Sequence, residues 1–206
     1  MNNCEVLADW QYELLMGNAI HEAGHFIMMF LLTQRAPFYM SISEKNMDGV
    51  TIQTVLPRDF KECALILFAG YAAESIYAGN ETDKGLGNFM RHDDCDFQMY
   101  LEDCRDYSGQ QGIAEGFYIF ALEAYNAAQQ ILSKQKSLLF LLAGELMFER
   151  EMDYQKIKDF CKEYAQSFPL LATAIFDDFT CSNRMELEES VRAYQLMQVT
   201  PVAEAQ

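Results

Sequence analysis

Histidine is scarce in this chain: three residues in 206, and two of the three stand four positions apart. Basic residues are few as well, 15 Lys and Arg against 31 Asp and Glu, which leaves a formal charge of −16. With no Lys/Arg cluster to offset it, a surface that acidic repels phosphate backbones and anionic lipid, so nucleic acid is not an expected partner. Only 4 residues are Pro while half are hydrophobic. A sizeable core is therefore expected, in one domain or one domain plus an appendage, with disorder confined to the ends. The longer apolar runs, such as Phe26 to Leu32, fall well short of the ~18 residues that cross a bilayer, and stable membrane insertion is not expected. The first residues, Met-Asn-Asn-Cys-Glu-Val, lack the basic-then-apolar character of a signal peptide. The six cysteines (Cys4, Cys63, Cys95, Cys104, Cys161, Cys181) form no C-x-x-C pair and no regular framework. Reduced thiols in a cytoplasm suit them better than disulfides. The phosphate-binding pattern G-x-x-x-x-G-K-[ST] is also missing, and Gly85-Leu86-Gly87 is only a lone G-x-G.

Against these absences stands His21-Glu22-Ala23-Gly24-His25. On a helix, His21 and His25 lie one above the other on a single face, so two imidazoles reach one divalent ion. Glu22 approaches the same place from the side. This is the H-E-x-x-H arrangement, in which both His ligate zinc and the Glu takes a proton from the metal's water and passes it to the leaving amine. The bland alternative is a helix carrying two surface histidines. It loses ground because Phe26 to Leu32 is apolar and makes the helix a buried one, where two unpaired His are costly.

Taken in order, residues 4 to 16 have helical spacing, and Gly17-Asn18 is expected to break or kink the chain before a motif helix over about 18–33. Ala36-Pro37 ends that helix. Tyr39 to Ser43 and Gly49 to Val55 are β-rich runs around a polar turn, expected as a small hairpin or sheet edge. Phe60 to Tyr77 reads as a single helix, with loops over 79–91. A helix capped by Asp93 or Asp94 should run to about Cys104. A long helix over 113–134, a bend at Lys134 to Lys136, and helices over Leu138–Phe148 and Tyr154–Tyr164 follow. Phe168 to Phe179 is apolar and read as helical, Met185 to Met197 is a further amphipathic helix, and the tail is loose. The expected fold class is mainly α with a minor β element.

A zinc hydrolase needs a third protein ligand and an open position. The metzincin spacing requires a His six residues after His25; Leu31 stands there, which excludes that group. A thermolysin-like protein would draw its third ligand from a Glu on a later helix, for which Glu74 is a candidate. A fuller likeness is to the peptidase domain of FtsH-type membrane AAA metalloproteases. The His21-Glu-Ala-Gly-His25 motif matches that family's in all five residues. In the same order follow Gly49-Val50-Thr51, then Phe68 to Gly79, which is similar to the family's Gly-Gly-Arg-x-Ala-Glu-Glu-x-x-x-Gly. An Asp-rich helix start lies at 93–97, and Ala124 to Met147 resembles the closing helix, kink and helix. The likeness covers roughly residues 15–163.

What the resemblance implies is a helical, zincin-like FtsH-type peptidase domain over residues 1–164 and a C-terminal helical extension over 165–206, for which the family offers no counterpart. The family's third ligand is an Asp at a helix start in a Ser-Asn-Asp-hydrophobic setting. Asp96-Phe97, preceded by Asp94-Cys95, reproduces that order, with Met99, Tyr100 and Cys104 inward. Asp93 has a closer loop length and its own stripe of Phe97, Tyr100, Leu101 and Cys104. Asp96 is preferred, with Asp93 the alternate. His92 ranks below both, and Glu74 orients a ligating His or forms an ordinary ion pair. The expected function is that of a stand-alone zinc-dependent endopeptidase acting on a peptide or protein. In it His21, His25 and Asp96 hold Zn2+ and Glu22 is the general base. Neither the nucleotide-binding module nor the membrane anchor of that family is seen. The rival is a non-catalytic interaction domain of the same build, with zinc structural or absent; a closed four-ligand sphere including Cys95 or His92 would mark it.

Overall fold

The computed structural model describes residues 8–54, 59–79, 96, 99–100, 115–176 and 181–199. The expected loops over 79–91, the residues His92, Asp93, Asp94, Cys95 and Phe97, the stripe positions Leu101 and Cys104, and the chain ends lie outside the described residues, save Gly79.

A single helix, α1 (Asp9–Thr33), runs through the middle of the protein. Its residues 22 to 30 are buried without interruption, because neighbours cover it on several sides: α2 (Phe60–Leu67), α3 (Ala69–Tyr77), α4 (Glu115–Ser133), α5 (Lys136–Glu149) and the sheet. The break expected at Gly17-Asn18 is absent. Glycine weakens a helix interior by about 1 kcal/mol, but Leu15, Ala19 and Ile20, each 0–1 % exposed, anchor both sides of Gly17. The helix ends at Gln34, which adopts the left-handed conformation (φ 58°) and donates its N–H to the Phe30 carbonyl.

Strands β1 (Tyr39–Ser43) and β2 (Asp48–Ile52) form the expected antiparallel hairpin, with Met40 opposite Thr51 and Ile42 opposite Gly49. A third strand, β3 (Glu151–Asp153), pairs antiparallel with β1 and gives the order β2-β1-β3. Three residues are too few to show a period of two, so β3 left no trace in the pattern. Met40 and Ile42 are buried on one face of the sheet. The period of two sets Gly49 and Thr51 on that same face, which looks to α1.

Phe60 to Tyr77 is two helices rather than one. Phe68 separates them, with φ −85° and ψ −7°, as C-cap of α2 and N-cap of α3. The bend expected near Lys134 is the turn between α4 and α5, and α6 (Tyr154–Tyr164) begins where the Asp153 carboxylate accepts the Lys156 N–H. The described part of the stretch expected as a helix over Phe168 to Phe179, residues 168–176, is not helical as its apolar content suggested: it holds a 3-10 turn (Leu171–Thr173), and Ile175 pairs instead with Arg35 in a parallel bridge, while 177–179 lie outside the described residues. The last helix, α7 (Cys181–Val199), touches β2, where the Tyr194 hydroxyl donates to Asp48 at 3.2 Å. The architecture is mainly α with a small antiparallel sheet. No described helix is long and apolar enough to cross a membrane.

Candidate metal centre

Close packing of α1 on α3 creates the site. A Cβ on Gly24 would stand 2.5 Å from the Ala69 carbonyl oxygen and 2.7 Å from the Ala73 Cβ. The two backbones therefore approach more closely than any side chain at position 24 permits. That approach brings His21 onto α3, where its ring meets Tyr71 edge-on at 4.9 Å between centroids. Gly70 lies under the imidazole, leaving no room for a Cβ.

The ligand candidates converge. His21 Nε2 and His25 Nε2 each lie 3.0 Å from the same oxygen, Asp96 Oδ2. The three ligating atoms lie within 4.8 Å of one another. The far side of each ring is engaged as well: His21 Nδ1 meets Glu74 Oε1 at 2.5 Å, and His25 Nδ1 donates to the Ile66 carbonyl at 2.8 Å. A carbonyl only accepts, so His25 carries a proton at Nδ1 and, when the ring is neutral, turns its Nε2 lone pair toward Asp96. Three lone-pair atoms facing one point repel unless protons or a metal cation join them. Two imidazoles and a carboxylate suit zinc. Ligands at ~2.0–2.1 Å from a tetrahedral ion are about 3.3 Å apart, close to the 3.0 Å of each His–Asp96 pair. The residues fit the ion.

Protons report the same field. Burial works against a charge on His21, yet the bonds to Asp96 and Glu74 and the nearby Glu22 carboxyl raise its pKa well above the ordinary 6.5. For His25, burial is likewise outweighed by Asp96, and its pKa is raised. Burial alone would raise Asp96, but His25 and His21 hold it well below the usual carboxylate range. The cluster attracts positive charge.

Glu22 stands beside this group without joining it. It is buried, its Oε2 accepts a 2.7 Å bond from the Thr51 hydroxyl, and its side chain lies against Gly49, where a Cβ would stand 2.7 Å from Cγ. Burial raises its pKa, an effect that His25, His21 and Thr51 offset in part. Asp96 and Tyr100 are both helical in backbone, and Tyr100 is buried and packs edge-on against Phe68 at 5.0 Å and stacked on Phe60 at 5.9 Å. Met99, expected inward, is instead 45 % exposed.

Thus His21, Glu22, His25 and Asp96 come together, and Glu74 takes the orienting position. The alternate ligand Asp93, with His92 and Cys95, lies outside the described residues. Sequence reasoning missed the Ile66 carbonyl, the Thr51 hydroxyl and the glycine at 70. Of these only Thr51 carried a signal, since a strand pleat sets it two residues from Gly49. No protein-family model matches the chain, and no curated protein matches it.

Proposed function

We propose that the chain is a zinc-dependent peptidase built like the FtsH-type peptidase domain, hydrolysing peptide bonds. The observation that carries the reading is a buried carboxyl, Glu22, beside three convergent ligand atoms yet outside their set. A purely structural ion has no use for it. His21, His25 and Asp96 would hold zinc. When bound, zinc supplies a Lewis acid that polarises a carbonyl and makes water more acidic.

The rest is the work of side chains. Thr51 holds one Glu22 oxygen by a hydrogen bond, which orients the carboxylate, and the carboxylate accepts the proton of the attacking water. The same carboxyl then returns that proton to the departing amine nitrogen. Glu74 and the Ile66 carbonyl fix both imidazoles in the orientation that ligation requires. Strand β2 pairs with β1 along one side only among the described residues. Its other edge offers main-chain groups to an extended peptide, with little demand on substrate sequence.

Glu22→Gln tests the reading. The variant should keep its zinc and lose roughly 10²–10⁴-fold in turnover of a quenched fluorescent peptide library. Unchanged turnover would remove Glu22 from the chemistry. Zinc bound with no hydrolysis by the parent protein would favour the alternative, an interaction domain whose ion is structural.

A further inference from the structure

Two buried polar atoms have no hydrogen-bond partner among the described residues and lie on the two elements that grip Glu22: Asn18 Nδ2 on α1 and Gln53 Oε1 just past β2. Nearly all buried polar atoms in folded proteins are paired. One donor on the helix that carries Glu22 and one acceptor next to the strand that holds it are therefore open to a partner that supplies the complement. Asn18 precedes His21, Glu22 and His25 at the i+3, i+4 and i+7 spacing and shares their helix face. Gln53 follows Thr51 by one pleat and falls on the side of Gly49 and Thr51, both of which touch Glu22. Beyond it, the Thr54 hydroxyl donates to the Ala36 carbonyl past the end of α1. Gln53 thus lies toward the C-terminal end of α1, and Asn18 toward the N-terminal end.

We propose that Asn18 and Gln53 recognise the main chain of a bound peptide on opposite sides of Glu22, Asn18 donating to a peptide carbonyl and Gln53 accepting a peptide N–H. The assignment rests on the peptidase reading for the position of the cleft. Asn18 is about 6 Å from Glu22 along the helix, and Gln53 about 7 Å beyond Thr51 along the strand. An extended peptide of about four residues covers that span. Both residues keep part of their surface exposed although these two atoms do not, so rotation about the side-chain torsions turns the amides to the ligand. Neither side chain is a catalytic residue on this view; both position the substrate.

An unpaired buried amide lowers stability, and an apolar replacement of similar shape is neutral or stabilising. A binding role and a structural role therefore predict opposite patterns. The experiment measures anisotropy of a fluorescein-labelled hexapeptide of alternating Leu and Ala on zinc-loaded Glu22→Gln protein, which leaves the peptide intact. Adding Asn18→Leu or Gln53→Met should weaken binding about tenfold while the melting temperature holds or rises. Within a set of singly N-methylated peptides, one should bind the Glu22→Gln protein more weakly yet be no further penalised by Gln53→Met. Unchanged affinity in both variants overturns the proposal, as does affinity lost together with stability, or failure of the hexapeptide to bind at all. Binding as expected without cleavage by the parent protein supports the assignment and counts against the peptidase reading instead.

Discussion

Gly70 lies against the His21 imidazole so closely that a Cβ there would overlap the ring. Alanine at this position improves helix propensity by about 0.8–1 kcal/mol, yet it must push the imidazole off the point it shares with His25 and Asp96. Gly70→Ala should therefore lower zinc affinity about 10–100-fold, the usual effect of disturbing a ligand's support, as read by competition with a chromogenic chelator. Unchanged affinity would mean that ring placement does not depend on α3. The same contrast explains what could be read from the chain. His21, Glu22 and His25 were legible because one helical turn relates them, and that geometry is local. Asp96 needed the order of several distant segments. The Ile66 carbonyl, the Thr51 hydroxyl and the open amides of Asn18 and Gln53 have meaning only once the elements have packed.

At the scale of elements, the α1–α3 contact governs. Gly24→Ala sets a methyl 2.5 Å from backbone, which has no rotamer to yield. The helices must separate, at a cost of about 1–3 kcal/mol, measured as a lower urea midpoint; a neutral result would contradict so tight a crossing. Helix α6 permits a second test. Its inner face buries Ile157, Phe160 and Cys161, and burial pushes the Cys161 thiol up to about 12 from 9.0. Between those values the unfolded chain has lost the thiol proton and the folded chain keeps it. Stability then falls as pH rises through the window, by at most ~1.4 kcal/mol per unit from this group. Cys161→Ala should show a shallower fall in urea midpoint between pH 9 and 11, and equal slopes would refute it. The helices and the β1–β2 hairpin were readable because their periods repeat over enough residues. The continuity of α1, the break at Phe68, the short β3 and the extended Ile175 were not: in each, tertiary packing overrides the local signal at one to three positions.

For the whole molecule, the ion would join α1 to the Asp96 segment, with α3 held to the same point through Glu74 and Gly70. A ligand that binds only the folded chain stabilises it by mass action, about 2.7 kcal/mol at a hundredfold excess over the dissociation constant. The net charge of −16 adds to the demand for positive charge in a cluster that already draws protons to its imidazoles. The most direct test is zinc content by elemental analysis after exhaustive dialysis, with melting temperature before and after chelation, for the parent chain and for His25→Ala and Asp96→Ala. The account predicts about one zinc per parent chain, a melting temperature that chelator lowers, and loss of both in either variant. Zinc absent from the parent, or retained equally by both variants, would contradict it.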